Sequence, residues 1–131
     1  MKGFVATLML VLAFGTVDAG GKRVETLRVQ VNQEKRFVKN RLAIRFVELV
    51  EDSRCPVDTN CVWAGNAKIK IRVRGNGRSH DLTLDTNGRN NSAIAEGYSI
   101  KLVRLTPIPR SNIRVNRMGY VATFEAVKLQ R

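Results

Sequence analysis

An all-β fold, a single antiparallel β-sandwich or small barrel of about seven to eight short strands, is what the sequence predicts, on three observations. Apolar and polar residues alternate with a period of two in one segment after another, the pattern of strands with one buried and one wet face. Gly, Asn, Asp and Pro cluster between those segments, where chain reversals need them. No internal repeat, linker or low-complexity tract divides the chain, so the strands belong to one unit.

The N-terminus reads as an export signal. Lys2 supplies a charged start, Phe4 to Phe14 is an almost unbroken apolar run, and Val17-Asp18-Ala19 puts small residues where signal peptidase needs them. Cleavage after Ala19 divides the chain into a signal, residues 1–19, and a single β domain, residues 20–131. The competing reading, an uncleaved anchor, has to work with a run shorter than the roughly 20 residues that span a bilayer. No later segment is apolar enough for a membrane helix, and Gly20 rather than a cysteine follows the cut, which argues against a lipid anchor. Removing 19 of the 131 residues leaves 112, a length that buries roughly two thirds of its unfolded surface. The expected location is the periplasm or the extracellular medium.

Strand by strand, Leu27, Val29 and Val31 alternate with Arg28 and Gln30, a short segment runs from Arg36 to Lys39, and Leu42, Ile44 and Phe46 continue the pattern. Ala67, Ile69, Ile71 and Val73 alternate with Lys68, Lys70, Arg72 and Arg74 in the clearest strand of the chain. Gly75-Asn76-Gly77 then turns it into a hairpin with His80, Leu82 and Leu84. Asn90-Asn91-Ser92 has the form of a glycosylation sequon and reads as a polar turn. Ala93 to Glu96 is expected to be one helical turn, and Tyr98, Ile100 and Leu102 form the next strand until Pro107 and Pro109 interrupt pairing. A last hairpin is expected to join Ile113–Val115 to Tyr120–Leu129 across Asn116-Arg117-Met118-Gly119.

Both cysteines, the only tryptophan and an acidic cluster fall in one stretch, residues 51–65. In an oxidising compartment Cys55 and Cys61 should pair, because zinc needs more nitrogen or sulfur ligands than two cysteines and the distant His80 supply. A ring this small contributes about 2 to 2.5 kcal/mol in the chain-entropy picture, so its role is to shape a loop. Asp52 and Arg54 are expected to form a local ion pair with Asp52 also accepting from backbone donors, Trp63 to cover the disulfide, and Gly65 to allow a tight turn into the following strand.

The residues Glu51-Asp52-Ser53-Arg54-Cys55-Pro56, then Cys61-Val62-Trp63-Ala64-Gly65-Asn66-Ala67, resemble the pattern of a family of small exported bacterial proteins, in which an alternating strand and a late Pro-x-Pro precede a closing strand. Pro107-Ile108-Pro109 and the strand at Tyr120 fit that layout, so the resemblance covers most of the region after the signal. It implies an all-β exported domain and brings no activity with it.

Charge supplies the functional lead. Lys and Arg number 23 against 11 Asp and Glu, and the first 19 residues hold one of each sign, so the excess of 12 stays with the β domain. Lys68, Lys70, Arg72 and Arg74 should project about 7 Å apart from one strand face, with Arg110, Arg114 and Arg117 forming a second basic cluster. Such a field concentrates anionic partners, here anionic lipids or cell-envelope polymers. Nucleic acid is disfavoured, because Trp63, Tyr98 and Tyr120 are too scattered for a stacking platform. Two alternatives remain. Pro56, Val57, Asp58, Thr59, Asn60 and Trp63 form a preorganised loop suited to a protein cleft, as an inhibitor would present. Glu51, Asp52 and Asp58 offer oxygen ligands for calcium, at a spacing unlike the alternate-residue calcium loop.

Catalysis and cofactors are not expected. His80 shares a face with Leu82 and Leu84, the cysteines occupy each other, and Glu48 and Glu51, three apart, should face opposite sides of a regular strand. Intact-mass measurement on protein from an exporting host should give a chain that starts at Gly20 and is lighter by the two hydrogens of one disulfide; a retained Met1 or two free thiols would contradict the export reading.

Overall fold

A computed structural model describes residues 24–37 and 41–129; the expected signal and part of the Arg36–Lys39 segment lie outside them. Eight strands follow in order: β1 Val24–Gln30, β2 Glu34–Phe37, β3 Leu42–Asp52, β4 Ala67–Gly75, β5 Arg78–Asp85, β6 Ser92–Ala95, β7 Tyr98–Thr106 and β8 Val121–Lys128. They form two four-stranded antiparallel sheets, ordered β1-β8-β7-β6 and β2-β3-β4-β5, stacked as a sandwich. The only helical segment among the described residues is a single 3₁₀ turn, Arg117–Gly119.

Local chemistry accounts for the tight turns. Asn76 and Gly77 both have positive φ, 52° and 72°, which lets two residues join β4 to β5 in the sense that matches strand twist. Glu96 and Gly97, at 50° and 78°, do the same between β6 and β7. That second turn displaces the expected helical turn at Ala93–Glu96: Ser92 to Ala95 pair with Lys101 to Tyr98 as a strand. The expected strand Ile113–Val115 does not form either. β8 instead lies between β1 and β7, and residues 107–113 give backbone partners to the cysteine loop, Val57 N–H donating to Pro109 at 3.0 Å.

β3 departs from simple alternation in a way that sets the rest. Register shifts at Phe46/Glu48 and Leu49/Glu51 each insert one residue, so the inward positions run Leu42, Ile44, Phe46, then Leu49, then Asp52. Glu48 and Glu51 therefore share the outer face, opposite Lys70 and Lys68, and not the two opposite faces that a regular strand predicts. A matching shift between Leu102 and Arg104 lets Leu102 and Leu105 both face inward on β7.

The core between the sheets is one cluster. Phe46 and Phe124 are its largest fully buried side chains, with Ile44, Ile69, Ile71, Val73, Leu84 and Ile100 around them. Phe124 sits on β8 between Leu27 of β1 and Leu102 of β7. Replacing it with Ala removes contacts on both sides and should lower stability by about 3 to 5 kcal/mol in urea unfolding; a loss below about 1 kcal/mol would show that the site collapses or was never packed.

Candidate functional site

At the end of β3 the inward turn of Asp52 places a carboxylate where the two sheets meet. Arg54 grips it with two nitrogens, Nε to Oδ1 and Nη2 to Oδ2, both 2.8 Å, and the Arg54 backbone N–H donates to Oδ1 at 3.2 Å. Tyr120, just before β8, donates its hydroxyl to Oδ2 at 2.8 Å. The same guanidinium donates to the carbonyls of Leu105, 2.8 Å, and Pro107, 3.0 Å. Asp52 and Arg54 side chains are only 11 % and 15 % exposed, so this is a largely desolvated pair with its donors used. Burial works to raise the Asp52 pKa, but the Arg54 and Tyr120 hydrogen bonds outweigh it and hold the carboxyl below its ordinary value. Burial, then the Asp52 carboxylate beside it, pushes the Tyr120 hydroxyl up.

This anchor carries the cysteine loop. Cys55 and Cys61 are joined, with Cα atoms 5.9 Å apart. Ser53 N–H donates to Asn66 O and Cys55 N–H to Ala64 O, closing the loop base. Gly65, at φ 70°, packs so closely there that a Cβ would lie 1.9 Å from the Ser53 carbonyl oxygen. Ser111 donates both its backbone N–H and its hydroxyl to Asp58, and these hydrogen bonds hold the Asp58 carboxyl below the usual range.

The polar parts of the loop thus turn inward while its apolar parts do not. Val62 is 92 % exposed and Trp63 81 %, so the indole projects into solvent and does not cover the disulfide as the sequence suggested. Val57, Ile108 and Ile113 are also exposed at this end. Of the expected recognition residues, Pro56, Asp58 and Thr59 and the Val57 backbone hold the loop in place by hydrogen bonds, and the side chains of Val57, Asn60 and Trp63 face outward. Glu51, Asp52 and Asp58 do not converge as calcium ligands. Glu51 lies 4.0 Å from Lys68 on the outer face and the other two are committed elsewhere; no group of three or more candidate ligands occurs among the described residues.

The predicted cationic stripe is present in geometry and largely offset in charge. Lys68, Lys70, Arg72 and Arg74 do share the outer face of β4. Arg72 pairs with Asp81 at 2.8 Å and Arg74 with Glu34 at 3.0 Å, and Lys70 lies in register with Glu48. Arg117 spends its guanidinium on the Leu49 carbonyl, 2.7 Å.

Basic side chains converge instead at the opposite pole, roughly 25 Å away along β4. Arg36, Arg41, Arg74 and Arg78 line a concavity of about 450 Å³ floored by Ala43, Gly75, Asn76, Gly77 and Ser79. The nearby acids are already engaged. Glu34 holds Arg74, and Glu96 accepts from Asn76 Nδ2 at 3.0 Å and lies 2.6 Å from His80 Nε2. Those two hydrogen bonds, His80 first, lower the Glu96 pKa and lock the β4–β5 and β6–β7 turns together across the sandwich. Among the described residues no carboxylate lies within ion-pair distance of Arg36, Arg41 or Arg78. The Gly75-Asn76-Gly77 turn signal implied that Arg74 and Arg78 would be neighbours; Arg36 and Arg41 join them only through the β2–β3 pairing. A second basic concavity, Arg28, Arg104, Thr106 and Thr123, lies on the outer face of the other sheet.

No family model matches this sequence, and comparison with curated proteins and with solved structures returns no match.

The Asp52 anchor makes stability depend on pH in a defined direction. Because the folded carboxyl lies below its unfolded value, its contribution is complete above about pH 4 and is lost as pH falls through the folded pKa. Asp52→Ala, which strands the Arg54 guanidinium, should cost about 3 kcal/mol at pH 7 in urea unfolding and flatten the acid limb below about pH 4. An unchanged acid limb in that variant would show that the pair does not couple to folding.

Proposed function

We propose that this protein is an exported, non-enzymatic binding module, periplasmic or secreted, whose basic surface holds anionic components of the cell envelope. The observation that carries the reading is the concavity lined by Arg36, Arg41, Arg74 and Arg78, where three guanidinium groups make no ion pair with a described carboxylate, although the Arg78 charge helps to lower the Glu96 pKa. Planar guanidinium groups bind phosphate and carboxylate oxygens in pairs, and several in one hollow suit a ligand with closely spaced anionic groups. The β4 stripe plays a lesser part, since Asp81, Glu34 and Glu51 already neutralise much of it. The Cys55–Cys61 disulfide fits a non-cytoplasmic setting. His80 acts as a crosslink to Glu96 in this reading and takes no part in chemistry.

The net excess of 12 positive charges makes binding long-ranged and dependent on ionic strength. On a phosphate-bearing polymer resin, the Arg36→Ala/Arg78→Ala double variant should elute at clearly lower salt than Lys68→Ala/Lys70→Ala, although both lose two charges. Its log affinity against log salt should flatten by about 1.5 units, as expected when two phosphate contacts are lost. Equal behaviour of the two variants, or retention of the parent chain that ignores salt, would remove the concavity from the reading.

A further inference from the structure

We infer that the tip of the disulfide loop, Val62 and Trp63 with Val57 and Ile108 beside them, seats in the interfacial layer of an anionic bilayer. The inference does not rest on the arginine concavity, which lies at the other pole of the sandwich. Its starting point is an inversion: the most exposed large apolar side chains of the described chain, at 92 % and 81 %, stand on one of its most firmly tied loops. A loop closed by Cys55–Cys61, braced by Arg54 from below and by Asp58–Ser111 from the side has little conformational freedom to lose on docking. Two adjacent apolar residues held out to water by such a scaffold mark a contact surface.

The surroundings favour a lipid surface as the occupant. Arg110 lies on the segment that packs against the loop, and its charge, with the Ser111 hydrogen bonds, keeps the neighbouring Asp58 carboxylate ionised. The tip therefore presents apolar groups on a domain with a net excess of 12 positive charges, the complement of anionic head groups over acyl chains. An indole suits that boundary, because its ring enters the apolar layer while its N–H meets head-group oxygens. Only the exposed side chains of the tip enter the layer, and the sandwich stays outside.

Trp63 is the only tryptophan, so its fluorescence reports the tip alone. Protein purified after export should be titrated with vesicles of mixed zwitterionic and anionic phospholipid, alongside Val62→Ser and Trp63→Ala variants whose melting is first shown to match the parent. The emission should move to shorter wavelength, bilayer-embedded quenchers should reach the indole, and part of the binding should survive high salt. Val62→Ser should weaken vesicle association about fivefold to tenfold while keeping the reporter. Sedimentation with vesicles that leaves the emission unchanged would place binding at the arginine pole and overturn the inference. No association at all would overturn it too, and would turn attention to a protein cleft as the tip's partner.

Discussion

Arg54 ties together more of this molecule than any other side chain. Its guanidinium closes on Asp52 at the end of β3 and reaches the carbonyls of Leu105 and Pro107 at the end of β7, while Tyr120 brings the start of β8 to the same carboxylate. One sheet, the other sheet and both long loops at that pole thus share a single desolvated ion pair. Such a pair is weak ground for claims of net stability, but all three guanidinium nitrogens donate, and removing one partner leaves the other buried and charged. What it secures is position: the cysteine loop leaves the sheet at a defined angle, and the segment 107–113 is laid along its side.

The anchor keeps its place although β3 is irregular. Counted by twos from Phe46, alternation reaches Asp52 on the inner face through Glu48 and Val50; the two inserted residues keep Asp52 inward and put Leu49 in the core instead of that pair. The same insertions turn Glu48 to the outer face, in register with Lys70, where it joins Glu51 beside Lys68. One backbone feature therefore keeps a carboxylate out of the core and partly neutralises the strand surface, so a run of basic residues in the sequence becomes a mixed-charge sheet face. The arginines without an ion pair gather around the turns at the other pole, where the cross-strand neighbours of Arg36 and Arg78 are Ala43 and Gly75 and not acids.

The strand order explains why sandwich and barrel were hard to separate in advance. Each strand lies next to its sequence neighbours, with β1 returning beside β8, as in an up-and-down barrel. Ladder pairing lapses between β1 and β2 and between β5 and β6, apart from the bridge of Val31 to Phe46. At β5 and β6 the sheets are instead joined by side chains, through His80, Asn76 and Glu96. The two architectures share every alternation and every turn and differ only at these two edges, which hydrophobic pattern does not encode.

Composition and periodicity were enough for the all-β class, the strands β1, β3, β4, β5 and β7, the Asn76-Gly77 turn, the Asp52–Arg54 pair and the disulfide, because each rests on neighbours in the chain. Strand β6 escaped, since Ser-Ala-Ile-Ala has no strong alternation and gains its ladder only from β7. Ile113 to Val115 is not a strand, because the Ile113 N–H donates to the Arg110 carbonyl in a turn and β8 takes its ladders from β1 and β7. Which charges remain free, which face Glu48 takes and where Trp63 points depend on groups brought together by cross-strand register and by two inserted residues. Those are long-range pairings, and a local pattern records the residues that enter them without recording their partners.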